Sequence, residues 1–339
     1  MNQIMKKTND FAPALILMIM APLLTEVLPG ATRFSSLFVL PIEICVWGGG
    51  ALMIRYTVRR WKLGWVGMLF LAMALAIAEE FIIQQTSVAP MVIRLKGVTY
   101  ARAFNINYVY FLWALIYESV FVVFLPIYVV ELIFPDRRER LWINKPGFFL
   151  VIPLFLIGSL LAWFSWTRIA RPKVFKLPVY NPPMIISLLA LTIIASLIYM
   201  SMQQVKNKSA FSTRLVKPWP KVAIAVCGMS WFAVLYGLVL LGFGIAPAFP
   251  PFAAISIGLF LIGVALWLVP GWTNDQSWQP KYVFALIFGL ILGSMLVSFI
   301  GFVDTTGPDL YFKIISNAVA IILLIFLGTT VNKRSRPNI

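Results

Sequence analysis

Continuous apolar runs of about 20 residues recur along the whole chain, and they constrain its fold more than any other feature. A helix of that length is about 30 Å long, which matches the hydrocarbon core of a bilayer. Hydrophobic residues make up 61% of the 339 residues and charged residues only 12%, so no soluble core would bury this apolar surface. We therefore predict an all-α, polytopic integral membrane protein.

Turn signals and charges divide the apolar runs into ten predicted transmembrane helices. Their predicted bounds are 11–28, 36–55, 64–85, 107–131, 147–166, 183–202, 222–244, 251–270, 282–302 and 312–331. With both termini in the cytoplasm, most of the 28 lysines and arginines fall in cytoplasmic loops, as the positive-inside rule requires. The predicted localisation is the cell (cytoplasmic) membrane. The net charge of +16 then indicates contact with membrane lipids and no nucleic-acid partner, because the bases lie in short loops.

Several kinds of chemistry lack the residues that they need. The sequence contains no histidine, which excludes histidine-based triads and histidine-ligated zinc. The two cysteines, Cys45 and Cys227, both fall inside predicted spans, so a disulfide framework is not expected. There is also no glycine-rich motif for holding phosphates. We therefore predict no catalytic residue, no metal site and no cofactor.

Acidic residues within the spans are confined to the first four predicted helices. This distribution predicts an acid-bearing four-span half at 1–134, a cytoplasmic basic loop at 135–146 and an apolar six-span half at 147–339. The unequal halves, with four and six spans, argue against a simple inverted repeat.

Glu79 and Glu80 lie at the end of the apolar stretch of the third span. A charged side chain at the centre of a membrane helix costs roughly 3 kcal/mol on insertion scales, so acids in a span indicate a functional site. At about 1.5 Å per residue, this pair lies about 8 Å below the predicted outer surface and Glu43 about 10 Å below it. Glu118 lies about 17 Å deep, near the midplane, and Glu26 lies at the outer end of the first span.

Small residues in these spans favour close approach of the helices. Ala72, Ala76 and Glu80 recur every fourth residue, and Gly48–Gly50 follow the glutamate of the second span. In an α-helix, Gln84 shares a face with Glu80 because the two are four residues apart. Such a site can bind a cation or exchange protons. The predicted substrate or ion site consists of Glu26, Glu43, Glu79, Glu80, Gln84 and Glu118.

A purely structural role is the alternative, in which the buried acids pair with arginines or accept hydrogen bonds from tyrosines. The candidate partners are Arg55, Arg94, Arg102, Tyr110 and Tyr117. For Glu131 and Glu139 we favour this structural role, because both lie beside the basic loop. Four arginines on the predicted outer side are candidates for binding an anion or a lipid headgroup. They are Arg94, Arg102, Arg168 and Arg171.

The order of several motifs in the first 90 residues resembles a group of uncharacterised bacterial and archaeal multi-span membrane proteins. The motifs are Glu26-Val27-Leu28-Pro29-Gly30-Ala31-Thr32, Pro41-Ile42-Glu43, Gly50-Ala51-Leu52-Met53-Ile54-Arg55 with Arg59-Arg60, Gly64-Trp65 and Glu79-Glu80. That group carries no activity to transfer. The Glu79-Glu80 pair also resembles the glutamate motif of CAAX-protease-like (CPBP) intramembrane peptidases, which combine it with membrane histidines and an arginine. This chain has Gln84 in place of that arginine and no histidine, so the resemblance implies a related scaffold with altered chemistry.

Three functions are compatible with these residues. The first is a transporter or permease whose carboxyl site binds a cation or exchanges protons, and we rank it first because it needs only the carboxylates that are present. The second is a CPBP-like intramembrane hydrolase with a carboxylate as general base, so that an enzyme is the less favoured prediction. The third is a lipid-binding or assembly subunit with a membrane partner protein. The small ligand or ion is not identified by the sequence.

Overall fold

A computed structural model describes residues 11–90, 100–204, 215–240, 246 and 248–335 of this chain. These residues form ten long helices that follow one another along the chain. They are α1 Phe11–Val27, α2 Phe34–Trp61, α3 Gly64–Ile83, α4 Tyr108–Ile133, α5 Lys145–Val174, α6 Met184–Gln203, α7 Lys221–Leu240, α8 Pro251–Thr273, α9 Pro280–Phe302 and α10 Pro308–Arg334. The predicted polytopic all-α class is confirmed, since nine of the helices described are long and apolar enough to cross a membrane and α1 is a shorter apolar helix.

Short elements connect some of the helices. An antiparallel hairpin between α3 and α4 pairs β1 Arg102–Ala103 with β2 Ile106–Asn107. A turn of 3-10 helix, Pro135–Arg137, follows α4. The fifth span was predicted to end at 166, but α5 continues to its final π-helical stretch, Ser165–Val174. The wider π turns accommodate a proline inside the helix, so the helix does not stop where the apolar sequence ends.

The four helices that carry glutamates include the most deeply buried part of the bundle. In α4, 72% of the most apolar window is buried, compared with 17% in α5 and 22% in α10. One apolar cluster contains side chains of α1, α2, α3, α4 and α5. A second cluster packs α4 against α7, α9 and α10, so α4 contacts both predicted halves of the chain. The boundary of those halves stays a prediction.

Glycines allow two of the helix pairs to approach closely. A Cβ atom at Gly48 of α2 would lie 2.1 Å from the carbonyl oxygen of Met18 in α1. Likewise, a Cβ atom at Gly289 of α9 would lie 2.0 Å from the carbonyl oxygen of Ala225 in α7. Gly293 follows Gly289 four residues later, which makes a Gly-xxx-Gly contact of the kind that joins membrane helices. The glycines at 48–50 predict the first of these close contacts, whereas the second was not predicted.

An ion-pair network joins α2 to the segment after α4, at the end of the bundle where α4 ends. Glu131, only 4% exposed, lies 2.8 Å from Arg59 and 3.4 Å from Arg55. Arg59 also contacts Glu139 at 2.7 Å, and Arg138 lies 3.4 Å from Glu131. The predicted structural role of Glu131 and Glu139 is therefore supported by direct ion pairs.

Replacement of Gly48 by alanine tests the close contact between α1 and α2. We expect Gly48→Ala to lower the free energy of unfolding by about 1–3 kcal/mol, because the new methyl group meets a backbone oxygen that cannot move freely. Thermal unfolding in detergent micelles measures the effect. Gly263→Ala is the matched control, since that helical glycine of α8 has open space around it. An equal stability of Gly48→Ala and wild type would contradict this packing.

Candidate functional site

Each of the four glutamate-bearing helices changes to a π-helix next to its glutamate. Glu26 lies within the π-helix Leu23–Val27, and Glu43 directly precedes the π-helix Ile44–Gly48. The other two π-helices are Glu79–Ile83, which starts at the glutamate pair, and Ser119–Phe124, which directly follows Glu118. Single π turns inside α-helices are rare in proteins as a whole, and those that occur are often found at functional sites. Four of them beside one group of acids indicate a shared role.

Five carboxyl groups lie near one another in the bundle. Glu26 interacts electrostatically with Glu43, Glu79 and Glu80. Glu118 interacts with Glu80, Glu79 and Glu26, and Glu43 also interacts with Glu79. The side chains of Glu43, Glu79, Glu80 and Glu118 are buried, and that of Glu26 is partly buried. We call Glu26, Glu43, Glu79, Glu80 and Glu118 the carboxyl cluster.

Within the carboxyl cluster, Glu80 and Glu118 lie within reach of a hydrogen bond with each other. An ionised carboxylate only accepts hydrogen bonds, so a hydrogen bond between these two acids requires a proton on one of them. Two hydroxyl groups that lie outside the cluster donate hydrogen bonds to two of its glutamates. Thr32 Oγ1 donates to Glu43 Oε1 at 2.5 Å, and Ser87 Oγ donates to Glu80 Oε2 at 2.6 Å.

Two oxygen atoms of the cluster are buried without a hydrogen-bond partner, Glu43 Oε2 and Glu79 Oε1. Among the residues that the structure describes, no arginine or lysine forms an ion pair with any of the five glutamates. The contrast with Glu131, which contacts three arginines, is clear. Transfer of an unpaired ion from water into a protein interior costs several kcal/mol. Protons or a cation would neutralise this cluster, although no group of three or more acids among the described residues is arranged to hold a metal ion.

Of the residues proposed as structural partners, Tyr117 and Arg55 contact other groups, whereas Tyr110 lies near the carboxyl cluster. Tyr117 donates its hydroxyl hydrogen bond to the carbonyl oxygen of Thr25 at 2.6 Å. Tyr110 interacts electrostatically with Glu80 and Glu118. Arg55 pairs with Glu131, at the other end of the bundle from the cluster. The purely structural explanation by arginine pairing is therefore wrong for every described arginine of that proposal.

A loop after α3 contacts the carboxyl cluster through Ser87. The backbone nitrogen of Ser87 donates to the carbonyl oxygen of Glu80 at 3.3 Å, and Asn107 N donates to Ser87 O at 2.8 Å. The fully buried side chain of Asn107 donates to the carbonyl oxygens of Thr86 and Ala89 at 3.1 and 2.8 Å. The hairpin between α3 and α4 thus fixes the loop over the site.

Two of the arginines proposed as anion sites hold the same loop. Arg102 donates to Val88 O and to Asn107 Oδ1, both at 2.8 Å, and Arg171 donates to Pro90 O at 2.9 Å. Arg168 donates to an exposed asparagine, Asn181, at 2.8 Å. Arg168 and Arg171 lie within α5 and not in the loop predicted after it. Arg94 lies outside the described residues, and anion binding by these four arginines stays a prediction.

Gln84 directly follows the π-helix that starts at the glutamate pair. Its backbone nitrogen donates to the carbonyl oxygen of Glu79 at 2.8 Å, five residues back, so the local spacing is π-helical and not the α-helical spacing assumed from the sequence. The shared face with Glu80 and a role for Gln84 in binding both stay predictions.

Lys313 is a buried base in α10. It is 1% exposed in α10, where Nζ donates to Leu28 O, after the end of α1, and to Ser298 Oγ at 2.7 Å. When the side-chain amide of Asn317 is rotated so that its oxygen and nitrogen exchange places, the amide oxygen accepts a hydrogen bond from Lys313 Nζ at 3.1 Å. The sequence did contain a signal for this buried base, because a lysine and an asparagine lie four residues apart in an apolar span.

Comparison with protein-family models, curated proteins and solved structures gives no match to this chain. The resemblance to CPBP proteins accordingly stays a prediction. The fold and the site alone define the class of this chain. It is a multi-pass helical membrane protein with a buried carboxyl cluster.

Removal of the Asn107 side chain tests the attachment of the loop. We expect Asn107→Ala to lower the free energy of unfolding by about 1–3 kcal/mol, because it removes two hydrogen bonds to backbone carbonyls and leaves that of Thr86 without its side-chain donor. Thermal unfolding in micelles measures the loss. The exposed Asn181→Ala change is the control and should be near neutral. Equal stabilities of the two variants would contradict the role of Asn107.

Proposed function

We propose that this protein is a transporter in which the carboxyl cluster exchanges protons for a cation. The single observation that carries the proposal is the proximity of five carboxyl groups, four of them buried and one partly buried, with no basic partner among the described residues. Acids placed inside a membrane bundle are costly, and in membrane proteins they mark ion pathways and proton relays. A role in stability alone would not require five of them.

The arrangement supplies the parts that such exchange needs. The Glu80–Glu118 pair holds a proton, and the free oxygen atoms of Glu43 and Glu79 are acceptors for a proton or ligands for a cation. Carboxylate oxygens are suitable ligands for hard cations. Protons and the cation compete for the same oxygens, so that binding of one favours release of the other. This competition couples their movements.

The supporting helices are suited to a change of shape at this depth. π turns leave a wider, less regular backbone at the glutamates of all four helices. Irregular backbone in a membrane helix is tolerated where it is buried in protein or lines a cavity. The loop that carries Ser87 covers Glu80, so movement of this loop would open the cluster to the nearer membrane surface.

A second candidate, the intramembrane hydrolase, is favoured by one observation. Glu79 Oε1 is buried and has no hydrogen-bond partner, as expected for a general base that awaits water. The transporter is the stronger proposal, because the hydrolase accounts for one of the five carboxyl groups and the exchange site accounts for all of them.

Reconstitution into liposomes tests the proposal. Vesicles contain the pH dye pyranine and carry an imposed pH difference, and NaCl, KCl or choline chloride is then added outside. We expect at least one cation to accelerate proton movement in wild type. The Glu79→Gln/Glu80→Gln variant should lose at least about tenfold in rate, because amides do not exchange protons in this range.

Glu139→Gln is the matched control for this experiment, since it changes an exposed carboxylate at the other end of the bundle. It should retain the wild-type rate. If none of the three cations changes the rate of proton movement in wild type, the proposed exchange is wrong. An unchanged rate in the Glu79→Gln/Glu80→Gln variant would remove the carboxyl cluster from the transport path.

A further inference from the structure

A groove lies between α7 and α9, at the end of the bundle where both helices begin. Its volume is about 400 Å³, which is within the range of about 300–1,000 Å³ for ligand pockets. The helix backbones touch at Gly289 and Ala225, and larger apolar side chains line the groove. They include Val222, Val226, Met229, Phe284, Phe288 and Leu292.

Two lysines lie at one end of this apolar groove, Lys221 at the start of α7 and Lys281 at the start of α9. Lys221 Nζ donates to Asn332 Oδ1 at 3.3 Å, and Lys281 Nζ lies 5.2 Å from the centre of the Tyr282 ring. Neither lysine forms an ion pair with a carboxylate in the part of the chain that the structure describes. Their charges are thus available to an anion.

Aromatic side chains place these lysines at the depth of the lipid headgroups. Trp219, Trp272, Trp278 and Tyr282 form a continuous series, with ring centres 5.3, 5.9 and 5.6 Å apart. Tryptophan and tyrosine are enriched where a membrane protein crosses the interface between hydrocarbon and water. Since Tyr282 adjoins Lys281, the basic end of the groove lies at that interface.

The length of the groove suits one lipid chain. From Lys281 to Leu292, α9 rises by about 16 Å at 1.5 Å per residue. A single leaflet accounts for half of a hydrocarbon core of about 30 Å. The apolar part therefore extends through about one leaflet, beginning at the two lysines.

We propose that this groove binds an anionic phospholipid, with an acyl chain against the apolar side chains and the phosphate between Lys221 and Lys281. The occupant is a lipid because a soluble anion would leave the apolar wall uncovered. The predicted orientation places this end in the cytoplasmic leaflet, whose anionic lipids attract basic residues. The proposal is independent of the carboxyl cluster and of transport.

Native mass spectrometry of the full chain from lipid nanodiscs tests the site. The discs contain equal amounts of phosphatidylglycerol and phosphatidylcholine with the same acyl chains. Wild type should retain phosphatidylglycerol preferentially. We expect Lys221→Gln/Lys281→Gln to reduce that preference by about tenfold or more, because each lysine near an anionic surface contributes severalfold to binding.

Lys62→Gln/Lys145→Gln is the matched control, because it removes two exposed lysines at the starts or ends of helices on the same predicted side. This control should keep the preference. An undiminished preference in Lys221→Gln/Lys281→Gln, or an equal loss in the control, would overturn the site.

A third variant tests the apolar wall. Val226 is 49% exposed, so Val226→Trp fills the groove without disturbing the core. We expect it to reduce retention of phosphatidylglycerol although both lysines remain. Retention equal to that of wild type would show a headgroup contact alone and would overturn binding of the acyl chain in the groove.

Discussion

The constraint that governs this structure is the placement of five carboxyl groups, four of them buried, inside a helical bundle that does not stabilise unpaired charge. Glu131 meets the same constraint in the usual way, by contact with Arg55, Arg59 and Arg138. The carboxyl cluster has no such partners among the described residues, and its charge must be balanced by protons or by a cation. The proposed function follows from this difference between the two ends of the bundle.

The rest of the fold keeps the cluster in place. Glycine contacts bring α1 against α2 and α7 against α9, so that the acid-bearing helices pack at the centre. The Ser87 loop, held by Asn107, closes over Glu80. On another side, Lys313 ties α9 and α10 to the segment that follows Glu26. The last helices therefore support the site without contributing acids to it.

Much of the fold could be predicted from the sequence, because apolar length alone determines a membrane helix. The π turns could not be predicted, since they depend on packing between helices and not on local preference. Ser87 and Asn107 were missed because their partners are backbone groups that meet only in the folded chain.

Infrared difference spectroscopy of the protein in bilayers at neutral pH tests the central claim most directly. The carbonyl stretch of a protonated carboxyl group is distinct from the bands of ionised carboxylates. The account predicts a protonated carboxyl band in wild type that shifts in D₂O and is largely lost in Glu80→Gln/Glu118→Gln, because that pair shares a proton. Absence of the band in wild type, or an unchanged band in the variant, would contradict the account.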